Sequence, residues 1–225
     1  EHKNIDSCHV TVPDHMHAPI TMTALNYGKN VYCQKPLCHE IDEARKVRLA
    51  AKKAGVVTQM GNQGHAGNGW RLAYEFVKAG AVGDIKEFHT WTNRPVWPQA
   101  PGITARPEEM PPVPDYVSWD QFIGPAPMRP YHPAYNPFKW RGWWDYGTGA
   151  LGDMACHNLD PAIWALDLTH PASVEAHSTR LSDETVPVGA VYYYEYPSRG
   201  DMPPLTMTWH EGGLLPPRPA ELEEG

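Results

Sequence analysis

Three short strand-like stretches, 5–12 (IDSCHVTV), 30–34 (NVYCQ) and 56–60 (VVTQM), alternate with two stretches of helical pattern. This alternation limits the fold more than any other feature of the chain. In the second helical stretch Ile41, Ala44, Val47 and Ala51 share one face. Acids come early, bases late, and Gly55 supplies the stop. The first stretch follows Pro13 and ends at Gly28. Strand, helix, strand, helix, strand at this spacing predicts a parallel sheet with right-handed crossovers. In such a sheet ligands bind beyond the carboxyl ends of the strands. Lys35-Pro36 stands where the second strand runs out. There a lysine can hydrogen-bond a substrate oxygen or exchange a proton with it.

The texture changes after a glycine-rich turn at 61–69. Residues 70–83 read as an amphipathic helix and 85–93 as a strand. Residues 95–139 hold many of the 24 prolines, together with aromatics, and are expected to form a long, ordered, functional loop. Residues 149–166 read as helical, and 188–196 and 205–210 as a pair of strands. The domain boundary is expected at 63–69. The net charge of −7, with no Lys/Arg block, argues against nucleic acid as the main partner. No apolar run approaches the roughly 18 residues of a membrane span. Cys8, Cys33, Cys38 and Cys156 form no CxxC and no regular framework, so reduced, scattered thiols are expected. The chain opens at Glu1 without a methionine and closes on the polar tail PPRPAELEEG, which reads as an internal piece of a longer protein.

Three clusters could carry chemistry. Lys35-Pro36 is the first. The second is GDMACHNLD, where Asp153 and His157 are four residues apart and Asp160 three further on. A continuous helix puts all three on one stripe. A carboxylate one turn from an imidazole would fix its tautomer and raise its basicity, as suits a general base. Asp160 before Pro161 also reads as an N-cap with proline in the first helical position, which would break the stripe. The third is TVPDHMH. His15 and His17 lack the partner spacing of a zinc site, so no metal is expected. Pro13 and Asp14 are instead placed on a cofactor crevice at the end of the first strand. The run WRGWWDYGTG and Trp97 are core, platforms for a sugar ring, or both. The glycines after Tyr146 suggest close backbone approach there and place Tyr146 on a pocket wall.

Taken in order through residues 5–170, TVPDHMHAPITMTALNYGKNVYCQKPL, VVTQMGNQGH and WWDYGTGALGDMACHNLDPAIWALDL resemble the glucose-fructose oxidoreductase / inositol dehydrogenase / MocA (Gfo/Idh/MocA) family. The resemblance implies part of a Rossmann NAD(P)-binding domain over 1–65. An α/β domain with a largely antiparallel open sheet would follow over 66–225. It implies NAD or NADP as cofactor, hydride transfer at a sugar or cyclitol hydroxyl carbon, and homo-oligomers. Carried over by residue, the Glu-Lys-Pro motif falls on Gln34, Lys35 and Pro36. The Asp-x-x-x-His pair falls on Asp153 and His157, and the cofactor segment on Pro13, Asp14 and His17. Lys35, Asp153 and His157 are then the catalytic group. Asn62, Gln63, His65, Trp97, Tyr146 and Asp160 are the candidate substrate contacts.

Two departures stand out. Gln34 replaces the usual glutamate, removing a negative charge beside Lys35. No G-x-G-x-x-G stands near the start of the chain to seat a pyrophosphate on a helix N-terminus, and neither GNQG (61–64) nor GTGALG (147–152) replaces it. Two other readings stay open. One is an NAD-dependent glycosidase working by transient oxidation and elimination, with His65 or Tyr146 as an extra acid or base. The other is a truncated, non-catalytic sugar- or subunit-binding paralogue. Compartment is left open by the sequence.

Overall fold

The computed structural model describes residues 3–222, so the first two residues and the last three of the polar tail (223–225) lie outside it. The predicted alternation is present. Strand β1 (Ser7–Val10), helix α1 (Asp14–Asn26), β2 (Asn30–Gln34), α2 (Ile41–Ala54) and β3 (Thr58–Gly61) form a parallel sheet in the order β1-β2-β3. Val10 lies opposite Cys33, and Gln34 opposite Gly61, so the three carboxyl ends share one rim. Val10, Ala18, Leu25, Val31, Cys33 and Val47 form the core between this sheet and its helices. Helix α2 shows why its sequence was legible. Glu43 Oε2 accepts the backbone N–H groups of His39 and Glu40, each at 3.1 Å, and Gly55 closes the helix at φ +65°.

A short 3-10 turn (Gln63–Ala66) leads into α3 (Asn68–Lys78) and then β4 (Glu87–Trp91). The second sheet has the order β4-β7-β6-β5, with β5 (Ser173–Ser178), β6 (Ala190–Tyr196) and β7 (Leu205–His210). β4 pairs with β7 in parallel and the other two pairings are antiparallel, as expected of a largely antiparallel sheet. β5 escaped the sequence reading because its alternation is short and weak, with Val174 and Ala176 its sole apolar residues, and every one of its residues is exposed. One face of this sheet is covered by α5 (Gly149–Asn158) and α6 (Asp160–Ala165). There Leu159, Ala162 and Leu166 meet Leu205, Met207 and Trp209.

Residues 95–139 do form an ordered segment. It contains only one short helix, α4 (Trp119–Ile123), and is held by aromatic packing instead. Trp119, Ile123, Tyr131, Tyr135, Trp140, Trp143 and Tyr146 make its core. Arg129 is buried among them, over the rings of Tyr135 (5.3 Å) and Tyr146 (5.1 Å), and is paired with Asp145 and Glu184. Its two terminal guanidinium nitrogens are thereby matched by two carboxylates, which compensates much of the cost of burying a cation, while Nε is buried without a partner. Among the described residues no helix is long and apolar enough to cross a membrane.

Candidate active site at the rim of the parallel sheet

The carboxyl rim of the first sheet is also where the rest of the chain docks. Thr148 donates to Asp14 Oδ2 (2.7 Å), His39 Nε2 to the Gly147 carbonyl (3.3 Å), and Asn62 Nδ2 to the Cys156 carbonyl (2.6 Å). Helix α5 therefore lies along the rim and presents its polar stripe to the end of β2.

Lys35 is the residue that bridges the two. Its backbone N–H still donates to Gly61 (3.3 Å), which continues the ladder. Pro36 is pinned from behind by His17, whose Nδ1–H donates to the Pro36 carbonyl at 2.6 Å. The ammonium crosses to α5 and donates to the Asp153 backbone carbonyl and to Asp153 Oδ1 (2.9 Å). Asp153 is buried and also meets Arg141 Nε (3.3 Å) and Arg94 Nη1 (3.9 Å). These three cationic side chains arrive from different parts of the chain. The two arginines were not anticipated, because they come from irregular segments that carry no periodic signal.

His157 is one helical turn beyond Asp153 and half-buried. The expected Asp153–His157 contact is corrected by the structure: the Asp153 carboxylate is taken by Lys35 and Arg141, and no hydrogen bond joins it to the imidazole among the described residues. Nor is the basicity of His157 raised. Burial lowers its pKa below 6.5, and the Lys35 cation lowers it further against the opposing pull of Asp153 and Asp160. A neutral imidazole at pH 7 is the form a general base requires.

Asp160 is corrected too. It is the first residue of α6 rather than its cap, and Leu159 separates it from α5. Its carboxylate accepts Nδ1–H of His65 at 2.9 Å (Oδ2) and 3.1 Å (Oδ1), across 95 residues of chain. The His65 ring rests on Trp164 (4.7 Å between centroids), which stacks on Tyr74 (4.5 Å). Gln63 Nε2 reaches Gln34 Oε1 at 3.4 Å, and Asn62 Oδ1 is a buried acceptor with no partner.

Four expected contacts do not face the rim. Tyr146 is 0% exposed, with its hydroxyl buried inside the aromatic core and its pKa pushed up by that burial. Trp97 is 3% exposed, donates Nε1 to Gln99 and packs under Arg94 and Arg141. Neither presents a face to a sugar. Asp14 and His17 are buried as well: Asp14 accepts from Thr148, and His17 Nδ1 donates to Pro36 while its Nε2 is buried without a partner. They hold the rim from behind, which leaves Pro13, Gln34 and Lys35 at its lip. Among the described residues no group of three His, Cys, Asp or Glu is placed to hold a metal ion. A cleft of about 860 Å³ is lined by His15, His39, Glu40, Trp144 and Thr148 but not by Lys35, Asp153 or His157.

The glycines after Tyr146 serve packing rather than ligand approach. A Cβ on Gly147 would lie 2.5 Å from the Arg141 Cα and 2.7 Å from its carbonyl oxygen. Gly147→Ala should therefore cost about 2 kcal/mol, within the usual range for overpacking. An unchanged midpoint in urea denaturation would contradict the close approach.

With this geometry in view, comparison with known proteins is decisive. Residues 1–62 match the model "Oxidoreductase family, NAD-binding Rossmann fold", and residues 97–199 match "Oxidoreductase family, C-terminal alpha/beta domain", both of the Gfo/Idh/MocA group. The chain belongs to the Gfo/Idh/MocA oxidoreductase family. It is 24% identical over 196 residues to the 1,5-anhydro-D-fructose reductase of Ensifer adhaerens, covering 84% of this chain and 46% of the reductase. It is 29% identical over 96 residues to the 2,7-anhydro-N-acetylneuraminate hydratase of Escherichia coli, covering 41% of this chain and 26% of the hydratase. The solved structure of a levoglucosan dehydrogenase with NADH and levoglucosan superposes with a TM-score of 0.62 at 19% identity. It matches 95% of this chain and 50% of its own, and shows a common fold. The chain thus spans about half the length, or less, of the relatives it matches.

Proposed function

We propose that this Gfo/Idh/MocA chain supplies the catalytic rim of an NAD- or NADP-dependent oxidoreductase acting on a hydroxyl carbon of a sugar or cyclitol. The observation that carries the reading is the meeting of Lys35, Asp153 and His157, from two units 118 residues apart, at the carboxyl rim of a parallel sheet.

Residues at the rim suit the nicotinamide end of such a cofactor. Pro13, Gln34, Lys35 and Pro36 line its lip, and the unpartnered Asn62 Oδ1 beside it is an acceptor of the kind a carboxamide N–H seeks. A bound nicotinamide would supply the hydride acceptor or donor. His157 takes the proton of the substrate hydroxyl on its neutral ring. Lys35 donates to the same oxygen as negative charge develops there, and Asp153 with Arg141 sets the position of the Lys35 ammonium. Gln63 and His65 would contact neighbouring substrate hydroxyls, with Asp160 orienting the His65 ring from behind. In this reading residues 1–65 serve the cofactor and 66–225 the substrate. The second sheet's outer face, with exposed Trp91 and Tyr193, is the surface for self-association.

A redox-neutral reaction is the second reading, in which hydride leaves and returns within one turnover. The aromatic-backed His65–Asp160 pair favours it, and one relative is named as a hydratase. The test is a titration of NADH and NADPH followed by energy transfer from tryptophan, with NADH production from NAD and myo-inositol, levoglucosan or 1,5-anhydro-D-glucitol measured alongside. Saturable binding and net NADH support the oxidoreductase. Binding with product but no net NADH supports the redox-neutral form, and no binding of either nucleotide rejects both.

A further inference from the structure

Helix α2 lies over the face of β2 and β3 without closing on it, and a cavity of about 420 Å³ remains between them. Val31 and Cys33 of β2 and Met60 of β3 form its floor, with Cys33 opposite Met60 in the ladder. Val47 and Ala51 of α2 form the other wall. Thr21 of α1 closes the inner end. That residue is 2% exposed, and its Oγ1 is buried without a hydrogen-bond partner. The neighbouring Cys33 thiol donates to the Leu37 carbonyl at 3.7 Å instead. A buried hydroxyl left in this state is costly unless something fills its place. At the outer end Arg48 and Lys52, one turn apart on α2, line the mouth and are exposed. No carboxylate pairs with either among the described residues, whereas Lys46 on the same helix is held by Asp42 at 2.6 Å. The cavity is separate from the catalytic group, since none of Lys35, Asp153 and His157 lines it. Cys33 and Leu37, both in its wall, stand on either side of Lys35-Pro36 in the chain.

We propose that this cavity is a binding site for a hydroxyaryl carboxylate, a flat apolar body with an anionic group at one end and a hydroxyl at the other. Each part has its counterpart. The carboxylate meets Arg48 and Lys52 at the mouth, where both cations are free to donate charged hydrogen bonds. The ring occupies the slot between helix and sheet, and the Cys33 thiol and Met60 thioether give it sulfur contacts. The ligand hydroxyl pairs with Thr21 Oγ1 at the inner end and satisfies the orphaned group. A rigid ring loses fewer rotamers on entry than an aliphatic chain carrying the same two ends. No bond is made or broken at this site, and it does not depend on the sugar or cyclitol reading of the rim.

The probe is trans-4-hydroxycinnamate, titrated into the full chain by calorimetry. Cinnamate, which lacks the hydroxyl, and 4-ethylphenol, which lacks the carboxylate, are titrated alongside. The expected result is saturable binding of 4-hydroxycinnamate to a single site. Cinnamate should bind about fivefold more weakly, the effect of one neutral hydrogen bond. The loss for 4-ethylphenol should be about tenfold or more, because its missing group makes charged hydrogen bonds. Thr21→Val keeps the side-chain shape and removes the hydroxyl, so it should bind the two cinnamates alike, at the parent's affinity for cinnamate. Arg48→Met combined with Lys52→Met changes exposed positions alone. That variant should bind 4-hydroxycinnamate about tenfold more weakly and 4-ethylphenol as the parent does. Circular dichroism checks that both variants remain folded, and the comparison of ligands on the parent needs no variant. Absence of saturable binding by the parent overturns the proposal, as does equal affinity for the two cinnamates. A preference for the hydroxyl that survives in Thr21→Val, or full affinity in the Arg48→Met, Lys52→Met variant, overturns it as well.

Discussion

His157→Ala is expected to lower turnover on a sugar or cyclitol by about two orders of magnitude or more, and Lys35→Ala by a similar factor, as removal of a general base or its partner does. The two losses have different origins, and pH separates them. Burial first, and the Lys35 ammonium second, lower the pKa of His157 below 6.5. The base is active when neutral, so kcat/KM should fall as pH drops through that lowered value and stay flat above it. Lys35→Met removes the second cause. The residual activity of that variant should show the same acid limb shifted toward higher pH, while His157→Ala should show no such limb. Near-normal rates in both alanine variants would sink the assignment of the rim. An acid limb left in place by Lys35→Met would separate Lys35 from His157 and reject their electrostatic coupling.

At pH 8, Glu211→Gln is expected to be more stable than the parent by about 3 kcal/mol, with a much smaller difference at pH 5. Glu211 is 2% exposed at the end of β7, and burial raises its pKa from 4.5 to about 7, against the lowering effect of the hydrogen bond from Trp209 Nε1 (2.9 Å). A raised carboxyl pKa means that the folded state holds the proton more tightly than the unfolded one. Its contribution to stability is present below pH 4.5 and is lost as pH rises through about 7. At roughly 1.4 kcal/mol for each pKa unit, this loss amounts to about 3 kcal/mol. The carboxamide of glutamine can still accept from Trp209 and cannot ionise. The histidines work in the opposite sense. His15, His157 and His210 are all lowered by burial, so the stability they confer is full above pH 6.5 and is lost as pH falls through their folded values. The parent should show stability falling at both ends of this range, and Glu211→Gln should lose the alkaline fall alone. Urea denaturation at pH 5 and pH 8 reads the difference directly. Parallel curves for the two proteins would mean that Glu211 is not buried as a neutral acid.

The sheet β1-β2-β3 and its two helices were legible because their information is local. Strand residues alternate or run apolar, α2 carries its own capping box and glycine stop, and a crossover of that length permits one handedness. Lys35 was legible for the same reason, since a strand end followed by proline marks the rim wherever the rest of the chain goes. The spacing of Asp153 and His157 likewise put both on one face of α5. Their partners were not local. Asp153 is taken by a lysine 118 residues away and Asp160 by a histidine 95 residues away, and neither choice leaves a mark in the spacing of either segment. The same limit explains the misplaced aromatics. Trp97 and Tyr146 look alike in sequence whether they line a pocket or fill a core, and the glycines beside Tyr146 accommodate the Arg141 backbone rather than a ligand. β5 buries no face of its own and is held by its pairing with the edge of β6. Local periodicity, caps and turns, each set by interactions within a few residues, were therefore determined by the sequence alone. Which cation meets which carboxylate, and which ring is sealed from water, was decided only when α5 came to rest along the rim, because long-range contact depends on the whole chain's path.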